Sequence, residues 1–272
     1  MGEQPVSVCR VFVKRYRRYA VSVIWTLAFL VGSAARSAPF RRIELPQGRD
    51  PFAGLPRPLQ FVVMVTDKRA ERIVKNLLDK EKQYKKQFEI PLIVSTTPGV
   101  GEKLAKENRK EWNLISYPRL GSLSSFQKDA VKKEIEGAIL DAYQGVDVRG
   151  IALARYYFLL TQGFLDRFPW RVINSHSSLL PKYPGFHAAQ QAIDAGEKEA
   201  GSTLHFATEG ADKGPIIAQK KVHVFSGDKE KDVLNRIIGA ASLLYPKVLK
   251  DFGEGKIRLP MEQLNPPLVI GH

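Results

Sequence analysis

Short apolar runs alternate with stretches of helical character through the middle of the chain. Residues 61–65 (FVVMV) form an apolar run of the length of a buried strand, and the polar stretch 70–88 that follows favours a helix. The same alternation predicts strands at 90–94, near 114–115, at 150–154 and at 172–174, with helices at 103–109 and 126–143. Strands and helices that alternate in this way build a parallel sheet covered on both faces.

The pattern changes after Pro181. Residues 202–207 and 216–225 alternate in part between apolar and polar positions, as antiparallel strands do, and a last helix is predicted at 228–252. We therefore expect an α/β fold with a doubly wound, Rossmann-like, mostly parallel sheet and mixed or antiparallel C-terminal strands. Ligands of such sheets bind beyond the carboxyl ends of the strands, so residues that follow 154 and 174 are the first candidates for a site.

The first 57 residues differ from the rest. Residues 10–18 are basic, residues 19–35 carry no charge, and Ser33-Ala34-Ala35 satisfies a small-residue cleavage rule. The segment fits a signal peptide, a signal anchor, an Arg-rich organellar transit peptide, or an upstream start codon with translation beginning nearer Met64. Residues 39–58, rich in Pro and Arg, are typical of a linker. We expect 1–57 to be leader and linker and 58–272 to be the folded catalytic domain.

The formal net charge of +14 does not indicate a nucleic-acid-binding protein. Residues 1–49 hold nine Lys/Arg and two Asp/Glu, which accounts for +7, and the other +7 is spread over Lys-rich helices as on a solvated face. Cys9 is the single cysteine, and the histidines at 176, 187, 205 and 223 lack ligand spacing such as H-E-x-x-H. We therefore expect no metal.

Asn174 and His176 follow the strand at 172–174 with a spacing of i and i+2. Their side chains point to one side, so an amide and an imidazole can address the same carbonyl oxygen. Asp212, in a tight Asp-Lys-Gly-Pro loop, can bias the protonation of the imidazole and relay protons through water. Each of these residues alone is more often a loop or turn residue. Ser177 beside His176 lacks the G-x-S-x-G elbow of a hydrolase.

Several stretches occur together in a fixed order: NSHSSLLP at 174–181, KYPGFH at 182–187, DKGPI at 212–216, Gln219, and VHVFSGD at 222–228. Over residues 153–246 this combination resembles the folate-dependent formyltransferase family, above all its phosphoribosylglycinamide formyltransferase branch, with some features of the formyltetrahydrofolate deformylase branch. The resemblance implies that Asn174 and His176 polarise the formyl oxygen and stabilise the tetrahedral intermediate, while Asp212 assists proton transfer from the attacking amine. It implies 10-formyltetrahydrofolate as co-substrate and no metal.

The resemblance also implies a folate pocket. In the family, the segment after the fourth strand lines it, and here that segment is LARYYFLLT at 153–161. Tyr156, Phe158 and Leu160, together with Asp212, are the expected folate contacts. The alternative is that these aromatic residues belong only to the core. The opening Leu-Ala-Arg-Tyr is closer to the deformylase branch.

The segments expected to bind the acceptor substrate depart from the family pattern. Phosphoribosylglycinamide formyltransferases place a Gly-rich loop after the first strand to hold the substrate phosphate, and this chain has TDKRAER at 66–72 with no glycine. Lys68, Arg69 and Arg72 could hold a phosphate as point charges, and an ordinary basic helix start is the alternative. The family's ribose-contacting Glu in the last helix is replaced by Ala241-Ser242.

The resemblance implies transfer of a formyl group from 10-formyltetrahydrofolate to a primary amine, with phosphoribosylglycinamide of purine biosynthesis as the leading acceptor. The alternatives are a deformylase, a formyltransferase with another amine acceptor, and a non-catalytic folate-binding homologue. The expected partner is a small, phosphorylated amine, with no nucleic acid. The expected location is the cytoplasm, or an organelle or membrane if residues 1–35 act as a transit peptide or signal anchor.

Overall fold

The computed structural model describes residues 12–16, 50–116, 125–258 and 268–270, with the backbone alone described for 12–16, 125–128 and 268–270. The strands are Phe12–Tyr16 (β1), Leu59–Val65 (β2), Phe88–Ser95 (β3), Glu111–Ser116 (β4), Gly150–Ala154 (β5), Val172–His176 (β6), Glu199–Phe206 (β7), Ile216–His223 (β8) and Leu268–Ile270 (β9). The helices are Glu71–Gln83 (α1), Glu102–Glu107 (α2), Ser125–Ala142 (α3), Gln162–Leu165 (α4), Ala188–Asp194 (α5) and Glu230–Gly253 (α6).

The strands form one sheet in the order β1-β4-β3-β2-β5-β6-β7-β8-β9. The five central strands, from β4 to β6, run parallel. β7 is antiparallel to both β6 and β8, β1 is antiparallel to β4, and β9 is parallel to β8. The chain order reverses between β2 and β5, which makes the gap beside them a topological switch point. The expected doubly wound sheet with antiparallel C-terminal strands is confirmed.

Two hydrophobic layers cover the faces of the sheet. On one face, Phe61, Val63 and Val65 of β2 pack under α1 and α6. On the other face, Val62 and Met64 pack under α3. All five side chains are fully buried, which explains why β2 has a continuous apolar run instead of alternation.

Two boundaries differ from the sequence-based expectation. The helix predicted for 70–88 ends at Gln83, and Phe88 is already the first residue of β3. The Phe88 side chain is fully buried in the core, whereas Lys85 and Lys86, which connect the helix to the strand, are exposed. The exclusion of residues 1–57 from the fold also differs from the structure. Phe12–Tyr16 pairs with β4, and Phe52 packs in the core with ring contacts to Phe61 and Phe252.

The uncharged run at 19–35 lies outside the described residues. Among the helices that the structure does describe, none is long and apolar enough to cross a membrane.

Candidate active site

A cavity of about 580 Å³ opens where β5 and β6 end. The last paired residues of the two strands are Leu153 and Asn174. Tyr245, buried in the middle of α6, donates its hydroxyl to the backbone oxygens of Leu153 (2.6 Å) and Ile173 (3.2 Å). These carbonyls lie directly before the residues that line the cavity. Tyr245 therefore satisfies backbone acceptors at the point where the sheet divides.

The structure brings Asn174, His176 and Asp212 together on the wall of this cavity. His176 Nδ1 lies 3.2 Å from Asp212 Oδ2, and Asn174 Nδ2 lies 3.5 Å from Asp212 Oδ1. Asn174 and His176 come from one face of β6, as their spacing predicts. Asp212 lies in the loop between β7 and β8, so strand β6 and this loop together bring the three side chains into contact.

The backbone of the Asp212 loop is closely constrained. Asp212 itself has φ 55°, in the left-handed region. A Cβ added at Gly214 would lie 1.7 Å from the backbone oxygen of Phe206, so only glycine allows the loop to approach β7 this closely. The Asp-Lys-Gly-Pro sequence is therefore a positioning loop for the carboxylate.

The Asp212 carboxylate is charged despite its burial. Burial alone would raise its pKa, but hydrogen bonds from His176 and His205 and from the Gly185 backbone N–H at 2.9 Å outweigh that effect. The pKa of Asp212 consequently lies well below its ordinary value. A carboxylate in this state can orient an imidazole and balance positive charge on it.

Both ring nitrogens of His176 face acceptors. Nδ1 faces Asp212, and Nε2 lies 2.8 Å from the backbone oxygen of Tyr183. The neutral ring can donate to one of these acceptors and the protonated ring to both. The ring is 8% exposed, so its orientation is fixed by these two contacts and by packing.

His205 is a site residue that the sequence did not reveal. It stands opposite Asn174 in the β6–β7 pair, is 2% exposed, and places Nε2 3.2 Å from Asn174 Nδ2 and 3.5 Å from Asp212 Oδ1. Its Nδ1 lies 3.0 Å from the backbone oxygen of Phe206. Nε2 therefore faces both the Asn174 amide and the Asp212 carboxylate, and its donor or acceptor role depends on the protonation of the ring. A cross-strand register would have revealed this residue, but the sequence does not specify one.

The residues expected to contact folate also line the cavity. Tyr156 and Leu160 are buried and Phe158 is half-buried, while Tyr157 and Leu159 between them are exposed. The segment is held at its far end by Glu136 of α3, which accepts hydrogen bonds from both the backbone and the hydroxyl of Thr161 at 2.5 Å.

The three expected phosphate-binding cations do not form one cluster. Arg69 lines the cavity and pairs with Asp67, and Lys68 is exposed. Arg72 lies in a separate groove, where its Nη1 donates to the backbone oxygen of Asn235 at 3.3 Å. Consecutive helical positions point in different directions, which separates Arg72 from the other two. The cavity is also lined by Arg155, a cationic residue that the sequence did not single out.

Across the residues with described side chains, no group of three or more His, Cys, Asp or Glu has an arrangement that could hold a metal ion.

The fold and the site together define a doubly wound α/β protein with an amide, an imidazole and a carboxylate beyond the ends of its parallel strands, groups suited to transfer at a carbonyl carbon. A family model described as formyl transferase matches residues 59–249. The chain belongs to the formyl transferase family, which confirms the resemblance found in the sequence.

Individual relatives agree with this assignment. Phosphoribosylglycinamide formyltransferase of Haemophilus influenzae is 43% identical over 126 residues, which are 46% of this chain and 59% of the relative. The Escherichia coli protein of the same name is 39% identical over 109 residues, or 40% and 51% of the two chains. The matched part thus spans little more than half the length of these relatives.

A solved structure covers more of the chain. The structure of phosphoribosylglycinamide formyltransferase from Brucella melitensis is 31% identical, with a TM-score of 0.62, and the match covers 74% of this chain and 98% of that one. A formyltetrahydrofolate deformylase of Synechocystis is also similar, at 33% identity over 148 residues, 54% of this chain and 48% of that protein.

Proposed function

We propose that this protein transfers the formyl group of 10-formyltetrahydrofolate to a primary amine. The observation that carries the proposal is the convergence of Asn174, His176 and Asp212 on one wall of the cavity, with contacts of 3.2 and 3.5 Å between them. The aromatic and aliphatic wall formed by Tyr156, Phe158 and Leu160 suits a flat pterin ring. When bound there, the folate supplies the formyl carbon.

The residues have distinct parts in the reaction. Transfer forms a bond between the acceptor nitrogen and the formyl carbon, breaks the bond from that carbon to the donor nitrogen, and moves a proton from the first nitrogen to the second. The Asn174 amide donates to the formyl oxygen as negative charge develops on it, an interaction worth about 10²–10³ in rate. His176, in its protonated form, places positive charge beside the same oxygen. Asp212 balances His176 and assists, through water, the transfer of the proton from the attacking amine to the leaving nitrogen of the folate.

Phosphoribosylglycinamide is the proposed acceptor. The support is the name of the relatives at 39% and 43% identity and of the Brucella melitensis structure. The partner is then a phosphorylated small-molecule amine, as the sequence predicts.

Hydrolysis of the formyl group is the second candidate. The observation that favours it is the pair of Asp67 and Arg155, which places a carboxylate of the chain itself against a guanidinium that lines the cavity. The similarity to the Synechocystis deformylase points the same way.

The domain division and the location belong to the same proposal. We place the catalytic domain at 58–272, with the strand Phe12–Tyr16 paired to its sheet and Phe52 packed in its core. We place the protein in the cytoplasm, where one-carbon chemistry and the proposed acceptor would meet. Membrane or organellar location would require that residues 1–35 act as an anchor or a transit peptide. Fractionation of cells that express the tagged full chain tests this, and recovery with membranes or organelles would contradict it.

The experiment for the function uses the full chain with 10-formyltetrahydrofolate. Appearance of tetrahydrofolate is followed with and without phosphoribosylglycinamide. Turnover that requires the ribonucleotide supports the transferase. Turnover without it supports hydrolysis, and folate binding without turnover under either condition contradicts both.

A further inference from the structure

Arg155, which lines the cavity, forms an ion pair with Asp67 that the proposed mechanism does not use. Asp67 lies shortly after β2 and Arg155 directly after β5, and their side chains are 11% and 9% exposed. Arg155 Nε and Nη2 both donate to Asp67 Oδ2, at 3.0 and 2.8 Å. Because β2 and β5 are neighbouring parallel strands, their carboxyl ends bring the two residues together.

Other donors converge on the same carboxylate. The Tyr157 hydroxyl donates to Asp67 Oδ2 at 2.6 Å, the Arg69 backbone N–H donates to Oδ1 at 2.8 Å, and Arg69 Nη2 lies 2.8 Å from Oδ2. Two guanidinium groups, a hydroxyl and an amide around one anion are the donors that a phosphate group also uses. Asp67 therefore occupies a site with the chemistry of an anion site.

The electrostatics of the cluster define the protonation states of Asp67 and Tyr157. Burial alone would raise the pKa of Asp67, but the hydrogen bonds from Arg69 and Tyr157 and the charge of Arg155 hold it well below its ordinary range. Burial, together with the hydrogen bond to Asp67, raises the pKa of Tyr157 to about 12. Asp67 is thus an anion and Tyr157 a neutral donor at physiological pH.

We propose that Asp67 is a specificity-determining residue: it occupies the anion site formed by Arg155, Arg69 and Tyr157, and so lowers the affinity for an acceptor whose phosphate would bind there. Two more contacts hold the Arg155 guanidinium in place, with Nη1 3.3 Å from Ser177 Oγ and Nη2 against the Tyr157 hydroxyl. A phosphate must displace an internal ligand that is always present at high local concentration. The cavity consequently binds a phosphorylated acceptor more weakly than it would without the Asp67 carboxylate. This effect rests on the proposed function, whereas the occupied anion site does not.

Inorganic phosphate is the probe, and its binding to the full chain is measured by calorimetry. Wild type is expected to bind phosphate weakly. Asp67→Ala, which empties the site, is expected to bind it at least about tenfold more tightly, because charge-assisted hydrogen bonds to Arg155 and Arg69 become available. The matched control is Asp67→Ala combined with Arg155→Met, which lacks the buried cation and is expected to return to the wild-type affinity.

The Asp67→Ala variant leaves Arg155 without its counter-ion, so its folding is itself a measurement. Its melting temperature is expected to rise with added phosphate and not with chloride at equal ionic strength. Asp67→Asn keeps the side-chain volume and removes the charge, and it is expected to show the same phosphate dependence to a smaller extent. Equal phosphate affinity in wild type and Asp67→Ala overturns the proposal, as does a double variant that binds as tightly as the single one.

A second experiment measures kinetics with phosphoribosylglycinamide as the acceptor. The KM of Asp67→Ala for this acceptor is expected to fall about tenfold relative to wild type, in line with the phosphate affinity. A KM that is unchanged or higher contradicts the specificity role. Absence of turnover in every variant would sink the proposed function, while phosphate binding would still decide whether Asp67 occupies an anion site.

Discussion

Asp212→Asn tests whether the carboxylate activates the site or only supports it. In the native site, Asp212 Oδ2 accepts from Gly185 N at 2.9 Å and faces His176 Nδ1 at 3.2 Å. An amide oxygen at this position keeps both contacts but lacks the negative charge. Its NH₂ group then takes the place of Oδ1, where Asn174 Nδ2 lies 3.5 Å away. Two NH₂ groups would face each other, and His176 would lose its counter-ion.

The expected magnitudes follow from these contacts. Exchanging charge-assisted for neutral hydrogen bonds costs about 1–2 kcal/mol of unfolding free energy. At roughly 2–4 °C per kcal/mol for a domain of this size, the melting temperature should fall by about 2–8 °C. The rate of formyl transfer should fall by about 10²–10⁴, the usual contribution of a positioned proton-transfer group.

The assay follows tetrahydrofolate formation and, separately, folate binding and the melting temperature. The control is Asp79→Asn, which removes a carboxylate that pairs with Lys75 at 2.8 Å on the surface and should change neither rate nor stability appreciably. A variant Asp212→Asn that loses stability as expected but keeps the wild-type rate would refute the reasoning, because the carboxylate would then be purely structural.

The other predictions concern stability, acid sensitivity and folate binding. Tyr245→Phe removes the buried hydroxyl that donates to the Leu153 and Ile173 carbonyls, although Leu153 keeps a bond from Ser175 Oγ at 3.2 Å, so unfolding free energy should fall by about 1–3 kcal/mol in denaturant titrations, whereas Tyr84→Phe at a partly exposed position should have little effect. The pKa of Asp212 is depressed below its ordinary value of 3.8, so this group stabilises the fold above that pH, and the contribution is lost as pH falls through the folded-state pKa. Asp212→Asn should therefore make the free energy of unfolding less dependent on pH in the acid range. An unchanged pH dependence would contradict this link between the protonation of Asp212 and stability. Phe158→Ala, which removes a half-buried ring from the cavity wall, should weaken folate binding by about 1–3 kcal/mol in fluorescence titrations while Asn174 and His176 keep their geometry. Unchanged affinity would assign Phe158 to the core alone.

The sheet and one half of the site could be predicted from the sequence because their determinants are local. β2 is buried on both faces, so its apolar run marks it as a central strand without knowledge of its neighbours. Asn174 and His176 lie two residues apart on one strand, and this spacing is enough to place them on one side.

The remaining parts depend on contacts that are distant in sequence. Asp67 and Arg155 are 88 residues apart and meet only because β2 and β5 are adjacent. His205 reaches Asn174 through the register of β6 and β7. The strand Phe12–Tyr16 is basic at Lys14 and Arg15 and pairs at the edge of the sheet, where no apolar run is needed to signal a strand.

The most direct test of formyl transfer follows the formyl carbon itself. 10-Formyltetrahydrofolate labelled with ¹³C in the formyl group is incubated with the full chain and phosphoribosylglycinamide, and the label is traced by NMR in wild type and in His176→Ala. We expect the label to move to the ribonucleotide amine in wild type, and to remain on the folate in His176→Ala although folate still binds. Transfer at the wild-type rate by His176→Ala would contradict the assignment of the site, and label recovered only as formate would contradict transfer to the amine.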